Sequence, residues 1–499
     1  MGTVTNNPFS EWHSLKVVFK GLTSRKRGYL LLSPFLLVVS VWAQDLTALD
    51  RYVRTPDPGF RFELLSQAPT PGATTYVLEM VSQNWLTAAE VDRTEWRHWL
   101  LITKPNKPPA QTALLFINGG SNGGRVPAPD PLMALLALES GAVVADLRMV
   151  PNQPLKFADG RARSEDALIA YTWDRFLNTG DERWPARLPM TKSAVRAMDA
   201  VQSFLASPAG GGVQVDRFVV AGGSKRGWTT WTTAAADRRV VAIMPLVIDA
   251  LNTQASFLHH WRAYGFWAPA IQDYQEIDLM RWLGTERFRA LMQIEDPYEY
   301  RDRLAIPKYI VNSTGDQFFL PDSSQFYFDD LPGEKYLRYV PNTDHGLASL
   351  EVPFNLLAYF QSILNGTPRP RFYWKADRGS GTIRLLTLDA PSEVKLWQAT
   401  NPNARDFRLM TIGPAWTSTP LKGEDGIYAA SLPPPAQGWT AFFVEMSYPS
   451  GGKFPWVFTT EVVVTPDVYP FEAPGPQALR RPGGSSRRPG AQLGIPPRE

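Results

Sequence analysis

Across residues 45–365, short runs of apolar, β-branched residues alternate with longer amphipathic stretches, and this rhythm constrains the fold more than any other feature of the chain. Repeated strand–helix–strand units build a mainly parallel sheet covered by helices, because a parallel crossover needs a dozen or more residues and a helix supplies them. Strands are predicted at residues 113–117, 143–146, 217–221, 240–248, 309–312 and 335–340. The runs at 113–117, 143–146 and 217–221 each end at a Gly- or Asn-rich bend, as strands buried on both faces do. Between the second and the third, Thr191 is placed to cap a helix whose Val195, Met198, Val201 and Phe204 recur on one face.

Two departures from this rhythm suggest further organisation. Residues 251–306 are rich in Trp, Tyr, Phe and His and read as helices without a strand, which fits an inserted cap over a site or, more plainly, a set of ordinary packing helices. Residues 366–370, Gly-Thr-Pro-Arg-Pro, make a stiff break. Alternating strands then follow at 382–388, 394–398, 440–448 and 457–465. A β-sandwich of immunoglobulin or fibronectin type over residues 371–466 is therefore expected, following a first domain at 44–366. The tail from 474 is rich in Pro, Gly and Arg, with too little apolar content to fold.

At the amino end, Arg25, Lys26 and Arg27 precede an apolar run at 30–41 and then Trp42-Ala43-Gln44. The run is shorter than the roughly 20 apolar residues that a membrane span needs, contains Pro34, and ends at a small residue. A signal peptide at 1–43, cleaved after Ala43, is preferred to an uncleaved anchor. The expected address is the periplasm or the exterior, with no stable membrane anchor after cleavage. With no cysteine, the chain can be neither a lipoprotein nor disulfide-stapled. The formal charge of +3 misleads, because residues 1–43 carry five basic residues and one Glu, and the stretch from Pro474 carries five Arg and one Glu. What lies between is mildly acidic, so a nucleic-acid partner is not expected.

The segment Val219-Val220-Ala221-Gly222-Gly223-Ser224-Lys225-Arg226-Gly227-Trp228 reads as a strand feeding a glycine-flanked serine and then a helix. Such an elbow forces the serine into strained backbone geometry and demands small neighbours, which Gly222 and Gly227 supply. The spacing departs from Gly-x-Ser-x-Gly, since Arg226 holds the second position after Ser224 and glycine comes one residue later. Two partners follow in the order Ser, Asp, His that the α/β-hydrolase fold uses. Asp316 follows the strand at 309–312, and His345 follows the strand at 335–340. In that arrangement His345 takes the Ser224 proton, and Asp316 holds the imidazole in the right tautomer. Asp249, at the end of the preceding strand, is the main alternative acid; Asp322 and Asp344 are others.

Acyl transfer also needs donors for an oxyanion. The Lys225 N–H is one by position, and Gly120 or Ser121, in the loop Asn118-Gly119-Gly120-Ser121-Asn122-Gly123-Gly124, is the candidate for the second. Glu165 and Asp166 either bind a substrate amine or cap a helix. Trp228, Trp231, Trp261 and Trp267 either line a pocket or form core. No His-Glu-x-x-His pattern or phosphate-cradling glycine loop occurs, so neither a metal nor another cofactor is expected.

Several motifs, in order, also resemble a known family: Ser82-Gln83-Asn84-Trp85, Trp96-Arg97-His98-Trp99, Asn118-Gly119-Gly120, Pro151-Asn152-Gln153-Pro154, Glu165-Asp166-Ala167, Leu188-Pro189-Met190-Thr191-Lys192 and Gly223-Ser224-Lys225-Arg226-Gly227-Trp228. Together they are similar to the PhoPQ-activated pathogenicity-related proteins. The resemblance spans roughly residues 76–345. It implies an exported α/β-hydrolase-like protein, named for its regulation in virulent bacteria, with a triad at Ser224, Asp316 and His345. The elbow is also similar to that of glucuronoyl esterases, which implies that the Lys225 side chain assists the oxyanion. The combined expectation is an α/β-hydrolase domain with a helical cap and a C-terminal β-sandwich. Its substrate would be a small-molecule, peptide or glycan ester or amide. The alternative is a secreted binding or signalling protein that keeps the fold without turnover.

Overall fold

The helix-strand alternation resolves into one sheet that runs through most of the molecule. The structure, a computed structural model, describes residues 46–107 and 109–473. The expected leader at 1–43 and tail from 474 lie outside the described residues. After a capped helix α1 (Ala48–Arg54), strands β1 (Arg61–Thr70), β2 (Ala73–Asn84) and β3 (Glu95–Pro105) pair antiparallel. Then come β4 (Ala110–Ile117), α2 (Pro131–Ser140), β5 (Ala142–Leu147), a short hairpin β6 (Leu155–Lys156) with β7 (Ala162–Arg163), α3 (Glu165–Thr179) and α4 (Arg187–Ala206). The remaining hydrolase-like units are β8 (Arg217–Gly223), α5 (Lys225–Ala236), β9 (Val240–Leu246), β10 (Lys308–Ser313), β11 (Lys335–Val340) and α9 (Val352–Asn365).

The strand order is β1-β2-β3-β5-β4-β8-β9-β10-β11, with every pair from β5 to β11 parallel. A mostly parallel core, an antiparallel edge and the exchange of β4 with β5 make this an α/β-hydrolase architecture. Alternation along each strand divides the core. On β8, Phe218 and Val220 pack with α3, α4 and α5, whereas Val219 and Ala221 pack with α2 and α9. Among the described residues no helix is long and apolar enough to cross a membrane.

One helix starts earlier than expected. α4 begins at Arg187, so Thr191 is not its cap but sits a turn inside, donating its hydroxyl to the Arg187 carbonyl at 2.8 Å. Pro189 is tolerated there because the first turn has no intrahelical partner for its N–H groups.

The segment at 251–306 holds helices and no strand: α6 (Thr253–Tyr264), α7 (Gln272–Glu276) and α8 (Glu286–Glu295) are interleaved with 3₁₀ turns and short connecting bends. It sits between β9 and β10 in sequence, on the Ser224 side of the sheet.

The C-terminal strands do form a sandwich, but not a free-standing one of immunoglobulin or fibronectin type. β12 (Phe372–Asp377), β13 (Thr382–Thr387) and β16 (Ile427–Ser431) make a separate antiparallel sheet. The opposing layer, β14 (Glu393–Asn401), β15 (Thr417–Pro420), β17 (Trp439–Tyr448), β18 (Trp456–Thr459) and β19 (Val463–Thr465), extends the central sheet through a β11–β18 pair at Leu337 and Thr459. Phe458 stacks on Tyr336 at 4.3 Å, and the Tyr309 hydroxyl donates to the Val457 carbonyl at 2.7 Å. The described residues accordingly form one compact unit, and the break at 366–370 is a bend and not a gap in the core. The sequence suggests independence because strand alternation shows which face is buried but not which neighbour buries it.

Candidate active site

β8 delivers Ser224 at the carboxyl end of the sheet, where α5 begins. Ser224 has φ 57° and ψ −125°, outside the regions open to ordinary residues. Crowding enforces this turn. A Cβ on Gly222 would lie 2.8 Å from the Arg226 carbonyl oxygen, and one on Gly227 would lie 2.8 Å from that of Leu246. The shifted glycine spacing is thereby explained, because Gly227, not the residue at 226, is the one pressed against β9. The turn is also held by the Ser224 N–H, which donates to the Leu246 carbonyl at 2.8 Å.

Asp316 and His345 come to Ser224 from the ends of β10 and β11. His345 Nε2 lies 2.7 Å from Ser224 Oγ, and His345 Nδ1 lies 2.8 Å from Asp316 Oδ2. The other oxygen of Asp316 accepts the Phe318 N–H at 2.7 Å, which fixes the carboxylate. The Phe318 ring packs on the imidazole, with centroids 4.4 Å apart, and the His345 N–H donates to Gln317 Oε1 at 3.1 Å. Asp316 is 3% exposed, so this chain of hydrogen bonds is shielded from water at its acidic end.

The rival acids serve elsewhere. Asp249 follows β9 as expected, yet its two oxygens accept the hydroxyls of Tyr327 at 2.6 Å and Tyr339 at 2.7 Å, and it does not reach His345. Burial pushes its carboxyl up to about 7 despite those donors. Asp322 binds His259 at 2.8 Å and Arg405 at 2.6 Å. Although burial opposes ionisation there, Arg405 and His259 hold its carboxyl well below the usual range. Asp344 accepts the Gly346 N–H at 2.9 Å and closes a turn.

Glu165 and Asp166, read as possible amine ligands, are occupied by the elbow itself. Lys225 Nζ donates to Asp166 at 2.7 Å and lies 3.2 Å from Glu165; Arg226 forks onto both Glu165 oxygens at 2.9 and 2.6 Å. Burial works against the Glu165 charge, but Arg226 and Lys225 prevail and hold it at about 2. Arg226 also donates to the Val150 carbonyl at 2.5 Å. Its guanidinium lies so close beneath Gly119 that a Cβ there would be 2.5 Å away. The glycine loop after β4 is therefore seated on the residue that breaks the usual elbow pattern. Gly120, with φ +140°, and Ser121 lie on that loop, and both are exposed. β4 neighbours β8, with Ile117 opposite Gly222, so the loop leaves the sheet beside the elbow. At the first position of α5 the Lys225 N–H has no intrahelical partner.

A cavity of about 60 Å³ adjoins Ser224, walled by Lys225, Asp166 and aromatic residues from α3, α5, the helical segment at 251–306 and the loop after β10. Trp228 is among them, while Trp231 lies in the core at 0% exposure. Trp261, on α6, and Trp267, just after it, meet at a tilt with centroids 5.1 Å apart. Sequence reasoning missed Trp173, Tyr274 and Phe318 on the cavity wall. It also missed Arg187, fully buried, which pairs with Glu295 at 3.2 Å and donates to the Lys225 carbonyl at 2.7 Å. Phe318, two residues past Asp316, and Arg187, immediately before the Leu188–Lys192 motif, lay near enough to a recognised motif to be found. Among the described residues no group of three or more His, Asp or Glu is arranged to hold a metal.

The chain is similar to several known proteins. A curated protein of Dictyostelium discoideum, autocrine proliferation repressor protein A, is 37% identical over 473 residues, covering 89% of this chain and 94% of its own. Among solved structures, an acetyl xylan esterase of a Thermoanaerobacterium species is 16% identical, covering 64% of this chain and 92% of that one with a TM-score of 0.44. A glucuronoyl esterase of Solibacter usitatus is 14% identical, with coverages of 64% and 91% and a TM-score of 0.38. Residues 49–408 match the family described as PhoPQ-activated pathogenicity-related protein, and the chain belongs to that family.

Proposed function

We propose that the protein is an exported serine hydrolase that cleaves an ester or amide bond through an acyl-enzyme. The observation that carries this reading is the unbroken hydrogen-bonded line from Ser224 Oγ through His345 to Asp316. In the first half-reaction Ser224 Oγ forms a bond to the substrate carbonyl carbon while His345 Nε2 takes the hydroxyl proton. Asp316 accepts the Nδ1–H of His345 and stabilises the imidazolium. The carbonyl electron pair becomes an oxyanion, which the Lys225 N–H and an N–H of Gly120 or Ser121 receive. Collapse breaks the bond to the alcohol or amine, which leaves with the proton from His345; water then repeats the sequence and frees the acid. No cofactor enters these steps. The substrate is a small-molecule, peptide or glycan ester or amide and not a nucleic acid. The leader-like segment at 1–43 supports export to the periplasm or beyond.

The alternative is a secreted signalling or binding protein without turnover; the Dictyostelium relative is named an autocrine proliferation repressor protein. A fluorophosphonate probe separates the two, because labelling requires an activated serine. Wild type is expected to label, and Ser224→Ala and His345→Ala variants with unchanged circular dichroism are expected to stay dark. Folded wild-type protein that never labels would overturn the hydrolase reading.

A further inference from the structure

We infer that the cavity beside Ser224 selects a short, uncharged acyl group, so that the preferred substrates are esters of small apolar acids with a bulkier alcohol. The inference rests on the acyl-enzyme reading above and adds the substrate class to it.

Charge is the first argument. Lys225 and Asp166 are the ionised side chains on the cavity wall, and they neutralise each other at 2.7 Å. The second oxygen of Asp166 accepts the Tyr274 hydroxyl at 3.1 Å, and Lys225 leans in addition on Glu165 at 3.2 Å. Glu165 is in turn spent on Arg226. His260 also faces the cavity, but one ring nitrogen accepts the Ala268 N–H at 3.0 Å, and burial pushes its imidazole down to about 3, leaving it neutral. An aminoacyl ammonium or a second carboxylate entering this space would lose its water and find on the wall only the Lys225–Asp166 pair, whose charges are already matched, a large penalty.

Size and stiffness are the second argument. The space of about 60 Å³ holds only a few carbon atoms. Its wall holds rings that lock one another: Trp173 meets Trp228 edge-on at 6.0 Å and Tyr274 at a tilt at 5.3 Å, and Phe257 meets Tyr274 edge-on at 6.4 Å. Trp228 is further pinned by its indole N–H on the Glu295 carbonyl at 2.5 Å. Rings held in this way do not move aside for a longer chain. The larger half of the substrate, the alcohol, must therefore leave through the mouth.

The test is kcat/KM on the p-nitrophenyl acetate, butyrate, octanoate and hemisuccinate esters and on alanine p-nitroanilide. Each methylene that still fits is expected to raise the rate roughly fourfold, so butyrate is expected to lead, with octanoate and both charged substrates at least about tenfold lower. Two wall variants move the optimum in opposite directions. Ile271→Ala, which enlarges the cavity, shifts preference toward octanoate; Ser256→Leu, which fills it, shifts preference toward acetate. A wild-type optimum at octanoate or at a charged substrate overturns the inference while the hydrolase stands. So does fluorophosphonate labelling without turnover of any short ester. Absence of labelling overturns both readings.

Discussion

Asp316 Oδ2 lies 2.8 Å from His345 Nδ1, whereas Asp249, on the adjacent strand end, spends both oxygens on Tyr327 and Tyr339. Two carboxylates that the sequence left in competition thus have different tasks. Asp316→Asn removes the acceptor that sets the imidazole tautomer, and kcat is expected to fall on the order of 10⁴-fold. Asp249→Asn is expected to leave kcat little changed. Steady-state kinetics on one ester would check both, and a collapse of kcat in Asp249→Asn alone would reverse the assignment.

Asp249 also predicts a pH dependence of stability. Its folded-state carboxyl is raised from 3.8 to about 7, so the burden it places on folding is absent below pH 3.8 and complete above about pH 7. Stability contributed by this group therefore falls as pH rises through that window. Thermal melts of wild type and Asp249→Asn are expected to move apart in favour of the variant between about pH 4 and about pH 7, by up to about 4 kcal/mol.

Glu165 has the opposite sign. Held at about 2 against an ordinary 4.5, it contributes stability that is present above pH 4.5 and lost as pH falls toward 2. Glu165→Gln is expected to melt below wild type near neutrality, and the gap should narrow in acid. Because Arg226 supports the loop carrying Gly120, the same variant is expected to lose kcat more than KM in steady-state assays.

Gly227→Ala places a methyl group 2.8 Å from one backbone carbonyl oxygen and 2.9 Å from another. Neither oxygen can retreat without disturbing β8 or β9. A loss of about 1–3 kcal/mol in urea denaturation is expected, together with reduced probe labelling as Ser224 shifts.

Ending the chain at Gly366 would strip β18 from β11 and uncover Tyr309, Tyr336 and Tyr359, which pack against the C-terminal strands. The truncated protein is expected to lack a cooperative thermal transition by circular dichroism. A sharp transition would mean that the strands after 366 are a dispensable addition.

The sequence by itself determined the parts governed by local pattern. The βαβ rhythm, the strand ends that carry Ser224, Asp316 and His345, and the glycine-rich loop after β4 are written in periodicity and turn chemistry, which act over a few residues. Even the helical character of residues 251–306 was visible in that way. Tertiary structure alone decided which of two strand-end carboxylates meets His345, since both sit where an acid belongs and only the packing of Tyr327 and Tyr339 removes one of them. It also decided that Glu165 and Asp166 neutralise Lys225 and Arg226, residues some sixty positions away, and that the C-terminal strands extend the central sheet. Pairings of this kind join distant segments through buried charge and shared apolar faces, and a local pattern shows that a group needs a partner without showing which partner it finds.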